Sequence, residues 1–340
     1  MIDKWYLHIS KSDVPYHNIA REAFMLEHAP PHCGIFYLWQ NRRTVVIGRN
    51  QNAWKECRVA ELENAGGFLA RRLSGGGAVF HDLGNLCFTF ILPKEDYDVG
   101  RQTAVLLDAL KKRNLAAVMK GRNDLEIDGK KFSGHAYYQG TKNALHHGTF
   151  LVNADLSLAQ KYLSPSPEKI VSKGVASVKS RIVNLSEFNR LLTIESLNEA
   201  LIESVEHAYG CTLEPLGDAF FDKTALADRE ARFAAPEWKY GHSPACSMET
   251  SARFDWGGVD LHFDVIEGKV AHLVVFSDSM DEAFIRALPE QLDGSPFRSS
   301  AALIEEIEKI KKIAELYHGN EGLFENTKKV LSGNAQGEPS

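Results

Sequence analysis

The chain has 340 residues, 44% hydrophobic and 25% charged, with a formal net charge of −6. These proportions exclude a collagenous, low-complexity or largely disordered chain; the length makes two domains the first expectation, and the acidic balance argues against a general nucleic-acid binder. Cys33, Cys57, Cys87, Cys211 and Cys246 are odd in number and widely spaced, with no C-x-x-C, which argues against a disulfide framework, a zinc ribbon or a thioredoxin-type motif and for a reducing compartment.

At the N-terminus, Asp3 and Lys4 come early and no apolar run follows, so no signal peptide is expected. No stretch approaches the length of an apolar transmembrane span, and the expected location is the cytoplasm. Residues 18–28 read as a helix capped by Asn18 and stopped by Pro30-Pro31. The apolar runs 34–39 and 44–48, separated by Gln-Asn-Arg-Arg, predict a hairpin. Asn52 is placed to cap a helix running through Glu63, and strands follow over 68–72, 78–81 and 86–92. Near-helical spacing predicts a helix over 98–114. Residues 123–138 predict a hairpin turning at Asp128-Gly129. A strand at 149–152 and a short helix at 156–163 come next. Residues 168–185 show no period, and long irregular stretches are often binding loops or lids. A helix is expected at 195–209. The Gly, Ser, Pro and Thr of 240–252 mark the domain boundary, giving domains 1–246 and 250–340. After it come strands at 253–256, 259–265 and 270–276, helices at 281–288 and 299–317, and a frayed polar end over 331–340. Hairpins mixed with helices indicate an α/β or α+β fold with much antiparallel pairing.

Four segments are candidates for chemistry. In Arg71-Arg72-Leu73-Ser74-Gly75-Gly76-Gly77-Ala78-Val79-Phe80-His81-Asp82, three glycines between strands permit close backbone approach and an anion nest, and Arg72 offers a planar fork for phosphate or carboxylate. The alternative is a plain turn with solvated arginines. No G-x-x-x-x-G-K-[ST] and no strand–G-x-G-x-x-G–helix unit occurs, which disfavours a P-loop enzyme or a Rossmann dehydrogenase. In Gly121-Arg-Asn123-Asp124-Leu125, the oxygens of Asn123 and Asp124 are of the type magnesium uses beside phosphates, although an aspartate there is also a common turn residue. Of Lys130 and Lys131 on the following strand, one should point inward, and strict alternation puts Lys131 and Ser133 on one face. His146 and His147 are adjacent on a strand and so face opposite sides, unsuited to ligating one metal. The fourth segment, Lys169 to Arg181, is a basic loop, either a phosphate-contacting lid or simply solvated.

Taken together, these segments resemble the lipoate–protein ligase family in its long, two-domain bacterial form. The pattern from Arg71 to Asn85 stands intact. Gly121–Leu125, Lys131-Phe-Ser-Gly134, His147-Gly-Thr149, Lys173–Arg181 and Trp256–Asp264 follow in family order, covering roughly 1–290. The resemblance implies a large catalytic domain with mixed, mostly antiparallel sheets flanked by helices, plus a small C-terminal α/β accessory domain. It implies that magnesium-ATP and lipoate form lipoyl-AMP and pyrophosphate. The lipoyl group then passes to a lysine of a lipoyl domain in a 2-oxoacid dehydrogenase E2 subunit or of glycine cleavage H protein, with no nucleic acid or membrane involved.

By the same resemblance, Lys131 is the catalytic cation. Arg72, Gly77, Ala78, Val79, Phe80, Asn123, Asp124, Lys131, Lys173, Gly174, Ser177 and Arg181 meet ATP or the adenylate. Arg72, Ser74, Gly75, Gly76, Gly77, His81, Lys131, Gly134 and His147 meet lipoate, and Asp124 is the magnesium candidate. Arg71, Arg72, Lys131 and the 169–181 loop would group for one small polyanion. Rival readings are an octanoyl or lipoyl acyltransferase working through a cysteine, a biotin ligase, and a lipoate-binding regulatory module. Against the acyltransferase, Cys87 sits in an apolar strand run and no cysteine occurs between it and Cys211.

Overall fold

The computed structural model describes residues 2–164, 182–241 and 246–316. The chain falls into two compact units, Met1–His242 and Ser243–Ser340. In chain order the strands of the first unit are β1 (Lys4–Ile9), β2 (Cys33–Trp39), β3 (Thr44–Ile47), β4 (Phe68–Arg71), β5 (Val79–His81), β6 (Asn85–Pro93), β7 (Val118–Lys120), β8 (Asp124–Ile127), β9 (Lys130–Gln139), β10 (Asn143–Leu151) and β11 (Leu213–Pro215). Eight of them make one mixed sheet in the order β11-β1-β2-β6-β10-β9-β8-β7. The pairs β11–β1 and β1–β2 are parallel and the others antiparallel. A second sheet, β4-β3-β5, carries the glycine segment between β4 and β5.

The central strands β2 and β6 are buried along their whole length, which is why they read as unbroken apolar runs. Period-2 alternation still sorts their side chains. Phe36, Leu38, Phe88 and Phe90 face one core, which holds Leu106 and Leu110 of the helix Val99–Lys112 and Leu197 and Leu201 of the helix Ile194–Tyr209. Ile35, Tyr37, Trp39, Cys87 and Ile91 face the other, against Ile19, Ala23 and Phe24 of the helix Pro15–His28. The site forms on this second face.

Several expectations need correction. The runs at 34–39 and 44–48 are not a hairpin: β2 pairs with β1 and β6, whereas β3 pairs with β4 and β5 in the other sheet. Turn composition signals a reversal but does not say which partner each strand finds. Asn18 is not a cap, because the helix starts at Pro15, whose fixed φ suits the first helical turn. Asn18 is fully buried; its amide donates to Ser12 O, Gln40 O and Asn41 Oδ1, and its Oδ1 accepts from Ser10 Oγ and Tyr37 OH. Asn52 does cap a helix, but one that ends at Glu56; Cys57 leaves it to bridge Leu163, and a second helix covers Val59–Asn64. The strand expected at 149–152 is the end of the longer β10. The hairpin at Asp128-Gly129 forms as expected, with both residues at positive φ.

The second unit is an antiparallel meander of β12 (Met248–Phe254), β13 (Gly257–Ile266) and β14 (Lys269–Ser277), followed by the helices Glu282–Leu292 and Ser300–Leu316. Its core joins Leu261 and Phe263 to Phe284, Leu288 and Ile307. The expected fraying at 331–340 lies outside the described residues. No helix among the described residues is long and apolar enough to cross a membrane.

Candidate active site

Glu22 projects from the helix Pro15–His28 onto the sheet face carrying Trp39, Cys87 and His147, and a cavity of about 130 Å³ opens there. Its wall joins apolar surface from Trp39, Val46, Ala78, Val79 and Ala136 to the polar groups of Glu22, Arg72, His81, Asn123, Lys131 and His147, with Gly76, Gly77 and Gly134 completing it. A concave, mostly apolar wall with a few convergent polar groups is the usual form of a small-molecule site.

The glycine segment forms part of this wall because one buried arginine, Arg72, holds it. Arg72 donates to Ser74 Oγ (3.1 Å), to Gly75 O (2.7 and 3.2 Å), to Gly77 O (2.8 Å) and to Val46 O (3.3 Å). Burial pulls its pKa down to about 10, with Glu22 opposing the shift. Arg71, expected among the substrate-facing cations, is instead turned away: it donates to the carbonyls of Gly48, Arg49, Gln51, Trp238 and Lys239. Gly76 takes φ +89°, and a Cβ on Gly48 would stand 2.1 Å from the Gly76 carbonyl oxygen, so neither position tolerates a side chain.

A directed chain of hydrogen bonds runs from this loop into the sheet. Arg72 Nε donates to Ser74 Oγ, which lies 2.7 Å from His147 Nε2; His147 Nδ1 lies 2.8 Å from Glu22 Oε1. That same oxygen accepts from Thr89 Oγ1 (2.7 Å), which accepts from Trp39 Nε1 (3.1 Å). An ionised carboxylate only accepts, so Nδ1 carries the proton and Nε2 accepts from Ser74. The order serine–histidine–carboxylate resembles a nucleophile triad. Ser74 is fully buried, however, and already accepts from Arg72, which makes this chain a frame that fixes the His147 ring. The other oxygen, Glu22 Oε2, is buried without a hydrogen-bond partner.

Lys131 reaches the same cavity through an irregularity. Between Leu125 and Glu126 the register of β8 on β9 shifts, so Ser133 pairs with Leu125 but Lys131 with Glu126. Directly opposed residues share a face, so the bulge puts Ser133 with the core residue Leu125 and Lys131 on the other side, with Gly134 and Asp124. The expected shared face of Lys131 and Ser133 is thereby overturned. The Lys131 ammonium stands 2.7 Å from Asp124 Oδ1 and lies over Gly134, where a Cβ would be 3.1 Å from Nζ. Lys130 is exposed, as one of the pair had to be. Asn123 donates to His135 O at 3.2 Å.

Comparison with known proteins gives the family. Residues 14–206 match the model of the lipoyl protein ligase A/B catalytic domain, and 243–321 that of the bacterial lipoate protein ligase C-terminus. A lipoate-protein ligase A of Psychrobacter cryohalolentis is 40% identical over 296 residues, 84% of this chain and 87% of that one. The chain belongs to the lipoate–protein ligase family. Among solved structures, P. falciparum LipL1 in complex with lipoate is 29% identical, with a TM-score of 0.78 over 90% of this chain and 94% of that one. A bipartite lipoate protein ligase from Thermoplasma acidophilum, described with its E2 lipoyl domain, shares the fold: 23% identity, TM-score 0.62, 73% of this chain and 100% of that one. The fold expected from the sequence is the one observed, and the chain is a ligase by family.

Within this enzyme, Arg72, Gly76, Gly77, Ala78, Val79, His81, Asn123, Lys131, Gly134 and His147 line the cavity. Ser74 and Gly75 stand behind the wall, where Arg72 binds them. Phe80 packs into a small core against Tyr162, and Asp124 is joined to the site through Lys131. Lys173, Gly174, Ser177 and Arg181 lie outside the described residues. Sequence reasoning missed Glu22, Trp39, Val46, Cys87, His135, Ala136, Gly148 and Thr149 as wall residues. One signal was available: Glu22 sits three residues from Ile19 and from Met25, so it is a carboxylate on the apolar face of its helix.

Cys87 is buried, as its apolar strand suggested, but its sulfur is at the cavity wall, 3.6 Å from His81 Nδ1. Burial first, and then Glu22, push its thiol well above the ordinary range, so no thiolate nucleophile is prepared there. His81, His135 and His146 are held neutral. Burial, then Arg72 and His147, takes His81 to about 3; burial, then Lys131 and His147, takes His135 to about 3; His146 is also driven well below its usual value, by burial and then by His135 and His147. His146 bonds Gln102 and His135 on the sheet face opposite His147, as alternation requires.

These depressed values set an acid limit. In the unfolded chain each histidine takes up a proton near pH 6.5, whereas the native chain binds none before about pH 3. The unfolded state therefore holds more protons over that window, so the contribution is complete above about pH 6.5 and is lost as pH falls. We expect the urea midpoint to drop between about pH 6.5 and 4.5, as the unfolding free energy falls by up to about 1.4 kcal/mol per pH unit for each histidine. A flat profile over that range would contradict the neutral assignment.

Proposed function

We propose that the enzyme activates lipoate with ATP to lipoyl-AMP, releasing pyrophosphate, and then transfers the lipoyl group to a lysine of a lipoyl domain. The observation that carries this reading is Lys131. Arg72 is committed to holding Ser74, Gly75, Gly77 and Val46 in place, whereas Lys131 is the basic group of the described wall that a single, partly exposed ion pair holds. In the first step a lipoate carboxylate oxygen bonds to the α-phosphorus as the bond to the pyrophosphate oxygen breaks. Charge develops on phosphate oxygens, and an ammonium already in place stabilises it without reorganisation. In the second step the acceptor amine attacks the lipoyl carbonyl, loses a proton and expels AMP.

The other site residues supply binding. Trp39, Val46, Val79 and Ala136 give the wall on which an apolar dithiolane chain packs. The Gly76–Val79 backbone fits the adenylate, and His147, held by Ser74 and Glu22, fixes a polar group at the wall. Ile182, immediately after the basic 169–181 segment, bridges to Lys131, and Val183 N–H donates to Lys131 O at 3.0 Å. That adjacency supports assigning Lys173, Gly174, Ser177 and Arg181 to adenylate contact.

Asp124 fits a magnesium ion of limited kind. Among the described residues no group of three acidic, histidine or cysteine donors includes it, so it would give one carboxylate, the remaining shell coming from phosphate and water. Bound there, the ion would neutralise phosphate charge. The acceptors in this proposal are lipoyl domains of 2-oxoacid dehydrogenase E2 subunits and glycine cleavage H protein, and the location is cytoplasmic, in keeping with five free cysteines.

The test is the intact mass of a recombinant lipoyl domain after incubation with enzyme, lipoate and magnesium-ATP. We expect one lipoyl mass increment, dependent on ATP and absent when the target lysine is replaced by arginine. No increment on any lipoyl domain would overturn the reading, and an increment from lipoyl-carrier protein without ATP would favour acyl transfer instead.

A further inference from the structure

Away from the cavity, three side chains of different chemistry converge on the meander of the second unit. Glu249 on β12 stands directly across from His262 on β13, so the two share a sheet face. Cys246 lies two residues before β12. The ligand-type atoms of Cys246, Glu249 and His262 all lie within 4.8 Å of one another.

The histidine is the telling member. It is 7% exposed, and its Nε2 is buried with no hydrogen-bond partner. Its Nδ1 is 3.7 Å from Glu249 Oε1, an ion-pair distance too long for a hydrogen bond. The ring edge rests on Phe276 at 5.0 Å, so packing holds it. Neither ring nitrogen therefore makes a hydrogen bond, although buried polar groups are nearly always bonded, and Nδ1 is the one that faces Glu249 and is open to a ligand. Neighbouring Asp264 is by contrast fully engaged: its Oδ1 accepts from Ser247 N (2.9 Å) and Oγ (2.7 Å), and its Oδ2 meets His272 Nδ1 at 2.9 Å. Asp264 therefore stands outside the donor set but anchors Ser247, the residue after Cys246.

We propose that Cys246, Glu249 and His262 bind one divalent transition-metal ion of the zinc class, with a water completing the shell. Sulfur, imidazole and carboxylate are zinc's protein ligands, whereas magnesium and calcium take oxygens. Donors about 2.0–2.3 Å from a tetrahedral ion stand about 3.3–3.8 Å apart. The His262 Nδ1–Glu249 Oε1 separation of 3.7 Å is slightly longer than the about 3.3–3.5 Å of a nitrogen–oxygen ligand pair, a gap the exposed Glu249 side chain is free to close. Binding replaces the Cys246 S–H proton, released to solvent, by a metal–sulfur bond. The ion would tie the segment leading into β12 to the middle of β13, which gives it a structural role in the second unit.

The experiment uses the full chain, stripped with a chelator and titrated with Co²⁺ as a spectroscopic probe, then with Zn²⁺ as competitor. We expect one equivalent of Co²⁺ to produce a thiolate-to-cobalt charge-transfer absorption that one equivalent of Zn²⁺ abolishes. Cys246→Ser should lose the band. Glu249→Gln, at an exposed position that does not threaten folding, should keep the band but weaken affinity about ten-fold or more. Absence of the band in the parent chain, or its survival at full strength in Cys246→Ser, would overturn the proposal. So would equal affinity in Glu249→Gln and the parent.

Discussion

Lys131→Ala is expected to slow formation of lipoyl-AMP about 100- to 1,000-fold while the protein stays folded. The two halves of that expectation have separate grounds. Lys131 sits in the cavity wall with a single carboxylate partner, so it has an ammonium to offer to oxygens that gain charge as the phosphorus–oxygen bonds exchange. A preorganised donor of this kind acts mainly in the transition state, and deleting one typically costs about two to three orders of magnitude in rate. The Lys131–Asp124 pair, by contrast, is about one-third exposed on each side, and such pairs contribute about 1 kcal/mol or less to stability. Lipoate-dependent exchange of pyrophosphate into ATP, measured beside a thermal melt, separates the two. Lys131→Arg should restore only part of the rate, because a planar fork does not reproduce a compact ammonium over Gly134. Near-parental exchange by Lys131→Ala would assign the chemistry to another group.

Glu22→Ala should have the largest effect on stability, about 3–5 kcal/mol. Glu22 is fully buried, and its Oε1 meets both His147 Nδ1 and Thr89 Oγ1. Removing it leaves the buried His147 and Thr89 donors unpaired and takes away the anion that offsets the buried Arg72 guanidinium. Such a loss is a large part of the roughly 5–15 kcal/mol that holds a typical domain together. Glu22→Gln keeps an oxygen of the same shape for both donors and should recover much of the loss. Urea unfolding of the two variants measures this directly, and an unchanged midpoint for Glu22→Ala would show that the chain from Arg72 to Thr89 does not support the fold.

Much of the molecule was legible in the sequence because the signals are local. The Asp128-Gly129 turn needs positive φ at both positions, and those residue types adopt it. The helix Val99–Lys112 announces itself by its apolar period, and the structure adds that Asp98, read as its first residue, is the cap. The Arg71–Asn85 pattern was recognisable because a glycine loop between strands has to be spelled out in consecutive residues.

The remainder was decided by partners distant in the chain. Hydrophobic runs give strand existence but not pairing, which is why β2 and β3 read as a hairpin and ended in different sheets. Arg71 and Arg72 look alike in sequence. Arg71 finds five carbonyls from residues near 50 and near 239, and Arg72 finds the glycine loop. Lys131 faces the cavity because one bulge breaks the alternation that strand periodicity assumes.

By itself, then, the sequence determined the family, the glycine loop and the basic residues, each written in a short contiguous stretch. Only the tertiary structure decided that Arg71 is spent on backbone carbonyls while Lys131 reaches the cavity, that Glu22 stands behind His147, and that Cys246 meets Glu249 and His262. The physical reason is that desolvation and hydrogen-bond saturation depend on what folds against a side chain, and for these residues the neighbours come from distant segments.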